Sequence, residues 1–312
     1  MHKKDHILVR KQDALEKIAE VEEFLIGKTA IITRNSMKVK KFYLEGKSVD
    51  NNRADTIFNC ELNQSTLKLV QEGIIYNNSA YVEMGHTQYV PVGNGTEVGF
   101  LKFLQNADVP IHTLIKERFE KVVAHVPKSS EENKQFSACA VDEGDNFINI
   151  HIKGAPEAIL NMTSSICGEG GNIETMPLSA EEGNLRSSFD NCVDEMAGTP
   201  LRVIAFAHAD MPRSTWEEQL QEHQGSSANE VLAKILTGGP LSWLDIKLVG
   251  AFGLQDKVRG KAKSAIKHTQ KAGINVRMIS GDMRKTAEAV ALEVGLIKEE
   301  DLPKSEYIVM DA

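Results

Sequence analysis

Two kinds of strand occur in this chain, and few folds accommodate both. Asn146 to Lys153 alternates apolar and polar residues, the pattern of a half-buried antiparallel strand. Lys121 to Val126, Phe136 to Val141 and Leu201 to Ala207 read as its companions, so the middle of the chain is expected to be an α+β module. Leu248 to Phe252 is instead apolar without interruption, and a turn at Gly253 to Lys257 follows. An amphipathic helix, Val258 to Lys271, closes at Gly273. A strand, Ile274 to Ile279, then leads through Ser280-Gly281-Asp282 into a helix, Arg284 to Val294, closed by Gly295. Strand, helix, strand, turn and helix in that order predict a parallel βαβ unit. Near the amino terminus another apolar run, Phe24-Leu25-Ile26, meets Gly27-Lys28-Thr29 and resumes as Ala30-Ile31-Ile32. It predicts a buried strand with a loop at its carboxyl end, able to join the same parallel sheet. The economical architecture is an α/β domain split by a large α+β insertion.

Gly27-Lys28-Thr29 also ends like a phosphate-binding P-loop. That motif needs a glycine where Glu22 stands, so that backbone N–H groups can wrap the phosphates, and the Glu22 carboxylate would repel them. The P-loop is rejected, leaving an ordinary strand-turn-strand as the plain alternative.

The shorter elements follow from local pattern. Asp13 to Val21, Thr66 to Gln71, Glu97 to Leu104 and Glu157 to Met162 read as helices, with Thr96 as the N-cap of the third and Pro156 near the first turn of the fourth. Met37 to Phe42 reads as extended, Ser48 to Arg53 as a loop, Pro91 to Thr96 as a turn cluster, and Pro212 to Pro240 as a polar, variable insertion.

With 312 residues the chain has room for about two domains. Its net charge of -8 argues against a general nucleic-acid or membrane-surface binder, and 6% aromatic residues against base-stacking platforms. Cys60, Cys139, Cys167 and Cys192 form no C-x-x-C pair, so neither a zinc site nor a disulfide framework is expected, and a reducing compartment fits. Asn63-Gln64-Ser65, Asn77-Asn78-Ser79, Asn94-Gly95-Thr96 and Asn161-Met162-Thr163 match the glycosylation sequon, as short triplets do by chance. No window reaches the ~18 apolar residues of a membrane span, and the amino terminus is not a signal peptide.

Four stretches, in order, resemble the cytoplasmic part of P-type cation-pumping ATPases, most closely calcium pumps of plasma-membrane type. Ile7 to Met37 resembles the segment around the family's DKTGT phosphorylation motif. Gly93-Asn94-Gly95-Thr96-Glu97 is similar to the "GN-x-TE" of its nucleotide-binding domain. Lys153-Gly154-Ala155-Pro156-Glu157 is the family's KGAPE as it stands. Asp256-Lys257-Val258-Arg259, Ala272-Gly273-Ile274 and Met278-Ile279-Ser280-Gly281-Asp282-Met283 resemble its "DPxR", "AGI" and "TGDN" segments.

The resemblance implies a haloacid-dehalogenase-like parallel-sheet phosphorylation domain, incomplete, with an inserted antiparallel nucleotide-binding domain. Residues 1–38 and 245–312 would form the former and 39–244 the latter. It implies ATP as ligand and Mg²⁺ as cofactor, with Glu97, Lys153, Gly154, Arg202, Asp256 and Arg259 around the nucleotide. Lys153 would supply a point charge and Arg202 a fork for phosphate, while Gly154 would let the backbone approach closely. Lys28, Thr29, Ser280, Gly281 and Asp282 would surround the transferred phosphoryl group, with Thr29 near the metal. Without the resemblance, Lys153 is a solvated strand-end charge, Arg202 a strand-edge residue, and Arg259 a residue packed along its own helix.

Two departures bear on activity. Lys128 stands where the family has an adenine-stacking Phe, and Phe136 aligns elsewhere. Gly27 stands in the place of the phosphorylated aspartate, and glycine has no carboxylate to attack a γ-phosphate or hold Mg²⁺. Ala312 also precedes the family's later "GDGxND" loop. The expected function is therefore the cytoplasmic nucleotide-binding and phosphorylation part of a calcium-transporting ATPase that cannot autophosphorylate. Its partners would be ATP and the transmembrane and actuator parts of a pump, on the cytoplasmic side of a membrane or as a free cytosolic fragment. Nucleic acid is not expected as a partner. A non-enzymatic nucleotide-binding module and an interaction fragment without nucleotide binding stay open.

Overall fold

The structure, a computed structural model, describes residues 13–51, 57, 60–86, 88–127, 136–175, 184–199, 201–237, 244–281 and 284–300. Lys128, Asp282 and Met283 lie outside the described residues. The strands in chain order are β1 (Glu23–Gly27), β2 (Thr33–Leu44), β3 (Lys47–Asp50), β4 (Tyr81–Met84), β5 (Tyr89–Val92), β6 (Val122–Val126) and β7 (Phe136–Asp142). β8 (Phe147–Gly154), β9 (Ser165–Cys167), β10 (Ile173–Thr175), β11 (Leu201–Pro212), β12 (Lys247–Val258) and β13 (Asn275–Ile279) follow. The chain divides into two compact units: 1–35 with 257–312, and 36–256.

In the smaller unit β1 and β13 pair in parallel, Glu23 opposite Asn275 through Gly27 opposite Ile279. The joining of the opening strand to the later one is thus observed. Buried Ile32, Ile266, Val290 and Val294 form its core, the last three supplied by helix Ala262–Lys271 and the stretch after residue 284. Gly273 and Gly295 close the two helices with positive φ, as their positions predict.

The larger unit holds a mostly antiparallel sheet in the order β10-β9-β12-β11-β8-β7-β6, with β2 paired to β12 and β3 to β2. Helices Gln64–Ile75, Gly95–Asn106 and Ile111–Lys121 contribute to the core on one face, where Phe42, Phe100, Phe206 and Phe252 meet. Helices Leu185–Gly198, Arg213–Glu222 and Ala228–Thr237 contribute Phe189, Trp216 and Leu232 to the core on the other.

Several expectations are corrected. Leu248 to Phe252 belongs not to the parallel sheet but to the larger one, where β12 runs antiparallel to β11. Its unbroken apolarity reflects burial on both faces, which a central antiparallel strand shares with a parallel one. The strand continues to Val258 through the supposed turn, and its helix begins only at Ala262. Ser48 to Asp50 is strand, not loop: Glu45-Gly46, both at positive φ, make the two-residue hairpin between β2 and β3. Residues 212–240 include two packed helices, because Trp216, Val231, Leu232, Ile235 and Leu236 are buried behind polar neighbours. The cap at the start of Gly95–Asn106 is Asn94, whose side chain accepts from Thr96 N. The compact units themselves meet along the chain at 35/36 and 256/257.

Under helix Gln64–Ile75, β8 and β11 bring His151 and His208 opposite each other, ring centroids 5.0 Å apart. His151 Nε2 is buried without a hydrogen bond and stands 3.8 Å from Glu72. Burial, with His208 and Lys68 adding to it, pushes the His151 imidazole well below its ordinary range, while Asp210 opposes them. At neutral pH it is therefore uncharged and makes no ion pair with Glu72. As pH falls below about 6.5 the unfolded chain takes up a proton that the folded chain refuses, so stability drops by up to ~1.4 kcal/mol per pH unit. Urea titrations between pH 7.5 and 5.5 should show this slope, and His151→Asn should flatten it. An unchanged slope in that variant would contradict the assignment, since Glu72 is common to both proteins.

Candidate functional site

The face of the large sheet under Gly95–Asn106 carries the residues that bear charge inward. Lys153, near the end of β8, is 8% exposed. It lies where helix Gln64–Ile75 exits into Asn77-Asn78-Ser79 and where the first turn of Gly95–Asn106 places Glu97. Its Nζ donates to the Asn77 carbonyl and to Glu97 Oε1, the latter at 3.3 Å. The other Glu97 oxygen accepts from the Ser79 hydroxyl at 2.5 Å. Thus two residues singled out separately in the sequence, 56 positions apart, are an ion pair.

The walls are held by backbone bonds. Arg118, buried on helix Ile111–Lys121, donates from Nη1 to the carbonyls of Asn78 and Ala80. Asn77 donates from Nδ2 to Ser137 O at 2.9 Å and His151 O at 3.2 Å, leaving its Oδ1 buried without a partner. Asn77 is 0% exposed and Asn78 3%, so this sequon is a structural fixture and no glycan could be attached to the folded chain.

Burial pushes the Glu97 carboxyl up, but Lys153 and the Ser79 hydroxyl outweigh it and leave the group below its ordinary range. Burial pushes the Lys153 ammonium down, and Glu97 only partly restores it. The two directions agree once the geometry is considered: the ammonium is the more enclosed member and bears most of the desolvation. Burial likewise lowers His125 on β6, with Lys153 adding to the effect. The result is one enclosed cation with a fixed counter-ion and a buried, unsatisfied acceptor, Asn77 Oδ1, beside it.

Arg202 lies on β11, on the same side of the sheet as Phe206, which faces Lys153 across the ladder. Four residues of strand place it ~13 Å along from that pair. Gly154 sits opposite Ala205 and Phe136, inside the ladder. Asp256, buried, accepts from Ser36 N at 3.1 Å. These belong to the larger unit.

The smaller unit gathers the other group. Because β1 and β13 are parallel and end together at Gly27 and Ile279, Lys28-Thr29 and Ser280-Gly281 leave neighbouring strands at the same sheet edge. That carboxyl edge is where open α/β sheets carry chemistry. Arg259 fastens the loop: its Nε donates to Thr33 O and its Nη2 to Ala30 O, both at 2.9 Å, and its own N–H reaches Ile32 O. Arg259 is therefore a loop clamp and not a residue packed along its own helix. Lys28 is buried, and its carbonyl accepts from the Thr33 hydroxyl at 3.2 Å. Gly27 is extended, φ -68 and ψ 141, and a Cβ there would meet only Ile31 Cδ1 at 3.6 Å. Nothing in the backbone requires glycine at this position.

Asn77, Ser79, Arg118 and His125 were not singled out in the sequence for this site. Their signal is tertiary: Arg118 reads as an ordinary arginine in the last turn of a helix until the loop it holds is seen.

Residues 65–261 match the family model for the P-type ATPase cytoplasmic domain N. Among similar proteins, the putative calcium-transporting ATPase 13, plasma membrane-type, of Arabidopsis thaliana is 28% identical over 98% of this chain and 27% of its own length. Calcium-transporting ATPase 8, plasma membrane-type, of the same plant is 29% identical over 94% and 25%. Calcium-transporting ATPase 5, plasma membrane-type, of Oryza sativa subsp. japonica is 28% identical over 99% and 26%. The chain spans about a quarter of the length of these curated relatives.

Proposed function

The chain belongs to the P-type ATPase family through its cytoplasmic domain N, and from that membership we propose that the larger unit binds ATP at the Lys153–Glu97 pair. The observation that carries this reading is the enclosed ammonium at the end of β8, 3.3 Å from its counter-ion and inside the matched span. Lys153 would exchange the Asn77 carbonyl for the ligand, and Glu97 would hold the ammonium in place. Gly154 keeps the neighbouring backbone slim, and Arg202 and Asp256 stand further along the sheet.

The smaller unit is read as part of a haloacid-dehalogenase-like phosphorylation domain in a calcium-transporting pump on the cytoplasmic side of a membrane. Parallel β1 and β13, with Thr29 and Ser280 at their ends, support it. Among the described residues, no helix is long and apolar enough to cross a membrane, so the transmembrane parts would lie elsewhere. Mg²⁺ does not fit the described residues of that edge: Gly27, Thr29, Ser280 and Gly281 offer hydroxyl and backbone oxygens, whereas Mg²⁺ is usually held through one or two carboxylates. With Gly27 in place of a nucleophile, no aspartyl-phosphate forms there.

Titration with a fluorescent ATP analogue tests the binding. Saturable binding in the micromolar-to-millimolar range, weakened at least ~tenfold in Lys153→Ala, is expected. Equal binding by both proteins, or none at millimolar ligand, overturns the reading. The second outcome would favour the interaction fragment, for which the engagement of Lys153 by Asn77 and Glu97 already speaks. Incubation with radiolabelled ATP should leave no acid-stable phosphoenzyme, and its appearance would refute the assignment of Gly27. Gly27→Asp should fold as the parent does, since the site has room for a side chain.

A further inference from the structure

The net charge of -8 conceals a strong local excess of the opposite sign. From Lys257 to Gly281 the chain carries seven lysines and arginines and not one aspartate or glutamate. Arg259 is spent on the loop, and Arg277 pairs with Glu23 at 2.6 Å. Lys257, Lys261, Lys263, Lys267 and Lys271 are exposed, and among the described residues none has a carboxylate within ion-pair distance.

Three of them form a row. Lys263, Lys267 and Lys271 succeed one another at four-residue spacing on helix Ala262–Lys271, a rise of ~6 Å each. Like charges so placed repel and weaken their own helix. With Gly260, Ser264 and His268 they line an open, solvent-facing groove of about 520 Å³. Its one ring is the His268 imidazole, whose Nδ1 stands 2.6 Å from the Ser264 carbonyl, and no Phe, Tyr, Trp, Leu, Ile or Val lines it, so it offers little to stack on a base or to enter a bilayer. An extended peptide, by contrast, presents alternate side chains on one face ~6.6 Å apart. That spacing nearly matches the lysine row.

We propose that this groove docks an acidic protein segment in extended conformation, with aspartate or glutamate at every second residue. The carboxylates supply the counter-charge the helix lacks, and the Ser264 hydroxyl adds a neutral donor between them.

The probe is a short fluorescein-labelled peptide of alternating Glu and Ser, titrated with the full chain while anisotropy is read. Binding should weaken at least ~tenfold in the Lys263→Gln, Lys267→Gln, Lys271→Gln variant and again on raising the salt. Removing three repelling charges should leave the helical circular dichroism unchanged, and Lys267→Glu alone provides a second, independent loss. A peptide of the same composition with its Glu residues in one block should bind more weakly. Equal binding of the two peptides, or of wild type and variants, overturns the proposal. Preferential sedimentation with phosphatidylserine vesicles over capture of the peptide would overturn it in favour of a lipid surface.

Discussion

Gly250→Ala should destabilise the larger unit by at least ~3 kcal/mol, the upper range for forcing atoms into a filled core. A Cβ at Gly250 would stand 2.2 Å from the Tyr43 carbonyl oxygen and 2.7 Å from Leu44 Cδ2. Neither can retreat. Tyr43 and Leu44 are almost wholly enclosed on β2, one in each of the two large core clusters, so a shift that relieved one would compress the other face. Gly250 also sits at an irregularity in the ladder: Phe206 faces Gly250 and Ala207 faces Leu248, so Val249 is the extra residue of a bulge. The close approach of β2 to β12 depends on the missing side chain. Urea denaturation should give a lower midpoint with a similar slope, or no cooperative transition at all. Gly198→Ala is the control: nothing lies within 4 Å of its Cβ position at the end of a helix, and the change should be neutral or slightly stabilising. Similar midpoints for the two variants would disprove the packing argument.

The same strand shows how far sequence reaches. Alternation located β8 almost to the residue, but the strand is not half-buried as the pattern predicts: His151 and Lys153 on its polar side are buried as its isoleucines are, because helices cover both faces of the sheet. β12 gave no such period, and an apolar run cannot distinguish a parallel neighbour from an antiparallel one. Gly250 within the apolar run was the available clue, since glycine within a strand marks a bulge or a close backbone contact. The polar stretch after Pro212 failed for a different reason. Helix burial there rests on a narrow stripe, Val231, Leu232, Ile235 and Leu236, that overall polarity hides. At the site, Lys153 and Glu97 were each legible as residues, yet their pairing was not, because it depends on where two helices end over the sheet. The basic groove was lost in the net charge, which sums over faces that never meet.

A double-mutant cycle on Glu97 and Lys153 should give a coupling energy of at least ~2 kcal/mol, with each single change costing ~3–5 kcal/mol because it strands a buried charge. The side chains are 17% and 10% exposed, so solvent screens the pair little. The two singles should differ in character. Lys153→Met leaves a carboxylate that still accepts from Ser79, whereas Glu97→Gln leaves an ammonium with only the Asn77 carbonyl. Burial already holds that ammonium below its ordinary range, and losing Glu97 removes the charge that restores it. A lysine whose folded pKa is depressed weakens the fold wherever the unfolded chain is the more protonated. Glu97→Gln should therefore gain stability between pH 7 and pH 10 more steeply than wild type, while Lys153→Met should lack that rise. The Lys153→Met, Glu97→Gln double variant, with no charge left to bury, should recover much of the loss but bind no ATP analogue. Recovery of both stability and binding in the double variant would mean that the pair holds the fold and that the nucleotide is bound elsewhere.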